Sequence, residues 1–317
     1  MRAKRCPYFY CTNVKKIGAR NGRQRYYCHD CDKSWANKTR PIRRLNCLWD
    51  QYAFEGRTVK SLAREYKKSC GYICAQLGTY TPPKIIQKPR TVALIMDVTY
   101  FNDWGIMVVI DPYANHTKGE NTVLYHAILT GTERTVDYEV ATDTIESMGY
   151  SIIAVTIDGR RGVRNMLEAR GIPVQHCQFH QLMTITQCLT KRPRLIPNIE
   201  LRSIALTLAR TDEITFEDAL ADWYALYGKW LKQRDPITKK YAHERTRRAY
   251  FSLCRNLPYL FTYQADYIQE SGIKVANTTS PLDGRFGAWK DKLIPHRGAS
   301  KQRTITTLCS FFSGRTD

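Results

Sequence analysis

Between Thr91 and His176 the chain carries five short apolar runs, and the order of what separates them constrains the fold more than anything else in the sequence. Thr91–Tyr100 and Gly105–Asp111 read as strands, the second ended by Pro112, and Thr122–Leu129 as a third. Val136–Met148 switches to helical spacing through Val136, Val140, Ile145 and Met148. Ile152–Ile157 is a fourth strand, Val163–Ala169 a helix and Ile172–His176 a fifth strand. Strands joined by short loops lie antiparallel, whereas strands separated by a helix return parallel across a crossover. The expectation is an α/β fold with one mixed sheet.

Two of these runs end in aspartate. Asp97 follows Val92–Met96, and Asp158 follows Ile152–Ile157 and precedes Gly159-Arg160-Arg161-Gly162. A lone strand-end aspartate commonly just closes a turn; a pair at the ends of two strands of one sheet can hold divalent metal. Hard cations such as Mg²⁺, or Mn²⁺, take carboxylate oxygens. Two of them about 3.5–4 Å apart can activate the attacking oxygen and neutralise the leaving oxygen in phosphodiester chemistry. After Glu270 the remaining acids are Asp283, Asp291 and Asp317, and Asp283 is the best placed third ligand. Beside Pro281 and Gly284 it also reads as a helix N-cap. The strand order with these acids is that of an RNase H-like core, residues 91–180 and 273–317. Residues 181–272 are helical, either as an insertion into that core or as ordinary structural support, with a cap signal at Asp212–Thr215.

The flanks point to a polyanion. The net charge of +20 is uneven: residues 1–90 hold 21 Lys and Arg against 5 acids, the remainder 28 against 24. A basic arm on a nearly neutral body is the footprint of a nucleic-acid-binding module. Cys6-x4-Cys11 and Cys28-x2-Cys31 bracket a basic stretch with the spacing of a zinc ribbon over residues 1–42, four thiolates closing a tetrahedron. Zinc would supply folding energy that so short a segment lacks. Eleven cysteines, an odd number, argue against a disulfide framework. Residues 43–80 outline a helix-turn-helix, with Thr58 as a cap, a break at Lys67-Lys68-Ser69 and a last helix for the major groove. The candidate DNA contacts are Arg20, Arg23, Arg25, Lys60, Arg64, Lys67, Lys68 and Tyr72, with Lys290, Lys292 and Arg297 in a basic tail anchored by Trp289. Residues 81–90, with Pro82 and Pro83, read as an extended linker. The sequence shows neither an 18-residue apolar run nor a secretory signal, so the expectation is a cytoplasmic protein and no membrane partner.

Asp97, then Thr156-Ile157-Asp158-Gly159-Arg160-Arg161-Gly162, then Pro173 to Gln181 with Cys177-Gln178-Phe179-His180, resembles bacterial insertion-sequence transposases of the Mutator-like superfamily. The segment Asn277-Thr278-Thr279 to Gly284, with His296-Arg297-Gly298 beyond it, is similar to that family's third-acid motif. The resemblance covers nearly the whole chain. It departs where the family has Leu-Glu-Gly and this chain has Leu282-Asp283-Gly284. It implies three metal-holding acids, Asp97, Asp158 and Asp283, and places Cys177 and His180 near them, bracing the acids or touching a flipped nucleotide. A buried structural pair is the plainer reading of those two. Arg160 and Arg161 would contact phosphate or simply face solvent. The implied activity is strand cleavage and transfer at terminal inverted repeats, by at least a dimer, on double-stranded element-end and target DNA at the bacterial nucleoid. A DNA-binding regulator without turnover and a structure-selective nuclease are the competing readings.

Overall fold

The computed structural model describes residues 5–6, 12–20, 23–36, 41–82, 88–115 and 122–313, with the backbone alone for Arg20, Arg23 and residues 41–46. The chain divides into two compact units, Met1–Thr81 and Pro82–Asp317.

The first unit begins with a small antiparallel sheet, β1 (Val14–Arg20), β2 (Arg23–Cys28) and β3 (Lys33–Ala36), in the order β1-β2-β3. Three helices follow: α1 (Pro41–Ala53), α2 (Val59–Glu65) and α3 (Cys70–Gly78). Side-chain oxygens start the last two. Thr58 Oγ1 accepts from Ser61 N at 3.2 Å and Ser69 Oγ from Tyr72 N at 3.1 Å, satisfying one orphan donor at each helix start. Leu48, Trp49 and Tyr52 of α1 are buried, as are Leu62, Ala63, Ile73 and Leu77.

The second unit is a mixed α/β structure around a five-stranded sheet. Its strands are β4 (Thr91–Phe101), β5 (Trp104–Ile110), β6 (Val123–Thr130), β7 (Ser151–Ile157) and β8 (Val174–His176), in the order β6-β5-β4-β7-β8. The pairs β6–β5 and β5–β4 are antiparallel; β4–β7 and β7–β8 are parallel. The change follows connection length: hairpins join β4, β5 and β6, while α4 (Thr135–Ser147) and α5 (Arg161–Ala169) carry the chain over to β7 and β8. On α4, Tyr138, Ala141 and Ile145 recur at helical spacing and bury against Leu94, Met96, Met107 and Val109 on one sheet face. Ile95, Ile106, Val108 and Ile110 project to the other face. There they meet Leu282, Phe286 and Trp289 of α11 (Ser280–Leu293) and Leu308 and Phe312 of α12 (Lys301–Ser313). The sheet is thus covered on both faces.

Between β8 and α11 lie α6 (Gln178–Leu189), α7 (Ile196–Leu206), α8 (Glu213–Leu231), α9 (Glu244–Leu260) and the short α10 (Asp266–Ser271). Asp212 caps α8, accepting from Thr215 N at 2.9 Å. Helices α6 to α9 enclose a core of their own, with Ile185, Leu201, Phe216, Leu220, Trp223, Leu253 and Leu260 buried. No described helix is long and apolar enough to cross a membrane.

Candidate functional site

Asp97 does not end its strand, as the apolar run before it had led us to expect. It lies within β4 and pairs with Val108 of β5, because the strand continues to Phe101 into a hairpin. What ends is the neighbour: β7 stops at Ile157 and Asp158 follows. The parallel register aligns Ile95 with Thr156. Asp97 lies two residues beyond Ile95 and Asp158 two beyond Thr156, at the same end of neighbouring strands about 4.8 Å apart. By the period of two, both carboxylates share the sheet face of Ile95 and Thr156, which is the face α11 covers.

Asp283 reaches this face because the segment before α11 is sewn to the sheet end. Thr156 Oγ1 donates to Ala276 O at 2.6 Å, Gln178 N donates to Asn277 O at 2.9 Å, and Asn277 Nδ2 donates to Gln178 Oε1 at 2.9 Å. Thr279 N donates to Cys177 Sγ at 3.2 Å. Asp283 is not the N-cap: Thr279 occupies that place, and Asp283 lies in the first turn. All three aspartates are half-buried. The Asp97 carboxyl is pushed up to about 7, first by burial and then by the charges of Asp283, Asp158 and Glu133, against the Val98 N–H that it accepts at 2.7 Å.

Glu133 is the site residue that the sequence reading missed. Since β6 runs in the direction of β4 and β7, the loop after it emerges at the same sheet end as Asp158. An acid just beyond a strand, in Gly131-Thr132-Glu133-Arg134, was the available signal. Its carboxylate accepts from Tyr138 Oη at 2.6 Å and pairs with Arg160 at 2.7 Å, and Arg160 also reaches Glu133 O at 3.0 Å. The Arg160 guanidinium therefore ties the loop after β7 to the loop after β6. Arg161 is exposed and forms no ion pair among the described residues.

Gly159 is where the backbone leaves L-residue space, at φ +99°. A Cβ there would lie 1.9 Å from His176 Cε1. The His176 ring, buried and neutral with its pKa depressed to about 4 by burial and by Arg164, fills the space a side chain would need.

Cys177 and His180 come from the start of α6, and Thr279 joins them to the third acid. Thr279 Oγ1 lies 3.4 Å from Cys177 Sγ, 3.3 Å from His180 Nδ1 and 3.2 Å from Asp283 Oδ2. His180 is raised to about 9, chiefly by its hydrogen bond with Cys177, with burial opposing and the charges of Asp158 and Asp283 assisting. The Cys177 thiol is lowered: burial opposes its ionisation, but hydrogen bonds from His180 and Thr279 outweigh it. His180 thus stands in the field of the acids, and Cys177 is coupled to it through their hydrogen bond.

Hard oxygen donors that repel one another suit a divalent cation. Two oxygens on one Mg²⁺ are at most about 4.2 Å apart, twice a bond of about 2.1 Å. Among the described residues, the only set of three or more His, Cys, Asp or Glu with ligand atoms all within 4.8 Å is Cys6, Cys28 and Cys31. The aspartates are therefore not closed around a single ion; a pair of ions about 3.5–4 Å apart spans a wider set.

The thiol cluster lies in the first unit. Cys28 ends β2 and Cys31 sits in the turn before β3, where Asp32 takes φ +55°. Cys6 Sγ is 3.5 Å from Cys31 Sγ, and the Cys31 thiol is pushed up to about 12 by desolvation and by Cys28 and Cys6. These three sulfurs are able to hold a metal ion; Cys11 lies outside the described residues.

Lys60, Arg64, Lys67, Lys68 and Tyr72 are exposed, with Lys68 Nζ 5.5 Å above the Tyr72 ring. The cations sit on α2 and the turn; α3 itself has none. Arg25 is half-buried, and the side chains of Arg20 and Arg23 lie outside the description. In the second unit Lys290 and Arg297 line a cavity of about 540 Å³ with Lys301 and the stacked Phe101–Trp104 pair, whereas Lys292 lies over Phe311. Trp289 is not a surface anchor: it is buried against Phe312 in the core beneath α11. A scan against protein-family models finds no match, and a search of curated proteins finds none either.

Proposed function

We propose that this chain is a DNA transposase of the Mutator-like type, with an RNase H-like core whose acids cleave and join phosphodiesters. The observation that carries this reading is the convergence of Asp97, Asp158 and Asp283, from segments far apart in the chain: burial first, and then the charges of Asp283 and Asp158, push the Asp97 carboxyl up to about 7. These three would hold a pair of Mg²⁺ or Mn²⁺ ions, with Glu133 beside them. When bound, such ions polarise the phosphoryl oxygens and offset charge at the attacking and leaving oxygens. The chain's own groups do the rest. Arg160 fixes the Asp158 loop through Glu133, and Thr279 orients Asp283. His180, protonated at neutral pH, offsets the surplus negative charge between Asp158 and Asp283.

The first unit supports the same reading. Three gathered thiols, with Cys11 as the fourth donor, fit a structural zinc ribbon. Two capped helices joined by a Lys67-Lys68-Ser69 turn fit a helix-turn-helix that grips element-end duplex largely through phosphate. Joining two ends requires at least a dimer. A DNA-binding regulator without turnover is the competing function, favoured by the three aspartates not closing around a single ion and by Asp283 standing where the resembled family has glutamate.

The test is incubation of the full chain with the inverted repeats that flank its reading frame, with and without Mg²⁺ or Mn²⁺. Metal-dependent nicking at the repeat ends, abolished by Asp158→Asn and by Asp97→Asn, is the expected result. Salt-sensitive binding without nicking would establish the regulator instead, and cleavage indifferent to the repeats would establish a nuclease.

A further inference from the structure

The helical block α6–α9 carries a concentration of positive charge that the carboxylate site does not use. From Lys229 to Arg255 the sequence holds nine Lys and Arg against two acids, Asp235 and Glu244. Six of those cations, Arg234, Lys239, Lys240, Arg247, Arg248 and Arg255, line one cleft of about 940 Å³, with Glu244 as its single acid. None of the six forms an ion pair among the described residues, although Arg57, Arg90, Arg134, Arg160 and Arg170 elsewhere all do. Asp235 is spent inside its own loop, accepting from Ile237 N at 3.0 Å and Thr238 N at 2.6 Å. Six like charges around one opening repel one another, and an incoming anion relieves that repulsion.

The cleft is organised. Arg247 lies between two rings, 4.1 Å from the Tyr241 centroid and 4.6 Å from that of Phe251, and Arg234 stacks on Tyr241 at 4.2 Å. Arg234 also donates to Lys239 O at 2.8 Å, and Arg234 and Tyr241 form a bridge that closes the loop. Stacking fixes a guanidinium plane while leaving its N–H edge for a phosphate. On α9, Arg247, Phe251 and Arg255 recur every four residues, so the cations form a row, not a point.

Position supplies the remaining argument. Thr184 and Cys188 of α6 line the cleft, and His180, one and two turns earlier at the same spacing, faces the acids. From His180 to Cys188 the helix rises about 12 Å. Measured along a duplex axis, that is three to four base pairs of about 3.4 Å each.

We propose that this cleft is a phosphate-backbone site for duplex DNA, holding it about three to four base pairs from the phosphate at the carboxylate site. The identity of the polymer rests on the transposase reading; the phosphate chemistry rests on the cleft alone. The test uses the full chain carrying Asp158→Asn, so that it does not depend on turnover. Acetylation of Lys239 and Lys240 is followed with and without a random-sequence duplex, and affinity is measured across a salt series. Duplex should protect both lysines. Lys239→Gln/Lys240→Gln, confined to an exposed loop, should lower the slope of log affinity on log salt by about 2 at an unchanged melting temperature, and Arg247→Ser/Arg248→Ser should lower the slope by the same amount. Equal acetylation with and without duplex would overturn the proposal, as would protection by poly-glutamate and not by DNA. Protection without nicking by the unsubstituted chain would leave this site standing while sinking the catalytic reading.

Discussion

The Thr279 hydroxyl lies 3.2 Å from Asp283 Oδ2, and the same oxygen is 3.3 Å from His180 Nδ1, so one buried side chain links the third acid to a cation. With His180 protonated, Nδ1–H donates to Thr279 and Thr279 donates to Asp283.

Removing that hydroxyl should disorient Asp283 without unfolding the core. Thr279→Val, close in volume, is expected to lower metal-dependent nicking by about 10- to 100-fold, the usual cost of losing a group that orients a metal ligand. Thr279→Ser should retain most of the rate. Equal rates for wild type and Thr279→Val would remove Thr279 from the positioning machinery.

The raised Asp97 carboxyl makes stability depend on pH. Its folded-state value, about 7, lies above the ordinary 3.8, so the folded chain holds a proton that the unfolded chain releases. Stability from this group is present below about pH 4 and is lost as pH rises through 7. Metal-free protein should therefore melt lower at pH 7.5 than at pH 5, and the difference should shrink in Asp97→Asn. A wild-type melting profile that matches that of the variant across this range would contradict the electrostatic account of the site.

Gly159→Ala should be among the most damaging small substitutions in the chain. The new Cβ meets the buried His176 ring at 1.9 Å and the backbone must keep φ +99°. Overpacking and the disfavoured backbone together cost on the order of 3 kcal/mol. Denaturant unfolding gives the number directly, and a loss under about 0.5 kcal/mol, the scale of an ordinary surface change, would show that the loop simply moves.

Chelation should act on the first unit. Beside the small sheet β1–β3, Cys6, Cys28 and Cys31 are able to hold a metal ion, so stripping a bound metal should raise proteolysis between residues 12 and 36 and weaken DNA binding. Cys28→Ser should do the same without chelator. Metal analysis finding less than one zinc per chain in a well-folded preparation would refute the metal site.

Much of the architecture was legible in advance because it rests on local rules. Alternating and continuous apolar runs mark strands, helical spacing marks α4 although Val136 and Val140 prove to be exposed, and Thr58 announces a helix start through a bond to its own neighbour three residues on. Asp158 was readable for the same reason, since β7 ends where its apolar run ends. Asp97 lies inside its strand and not at the end of it: an aspartate inside β4 looks like a stop until β5 is seen pairing with both sides of it. Glu133, Thr279 and the His176 ring over Gly159 had no comparable mark, because each takes its role from a partner remote in sequence. The arginines of the cleft were visible as letters, yet nothing in their spacing joins Arg234 and Lys240 to Arg255.

The sequence alone determined the mixed α/β class, the succession of strands and helices along the chain and the basic N-terminal arm. Periodicity and composition depend only on near neighbours. Only the tertiary structure decided that Asp97 and Asp158 lie at the same end of neighbouring strands, that α11 brings Asp283 to the same face, and that Arg160 serves Glu133. Those relations follow from strand register and helix docking, where burial across long chain separations selects one arrangement among many with the same local pattern.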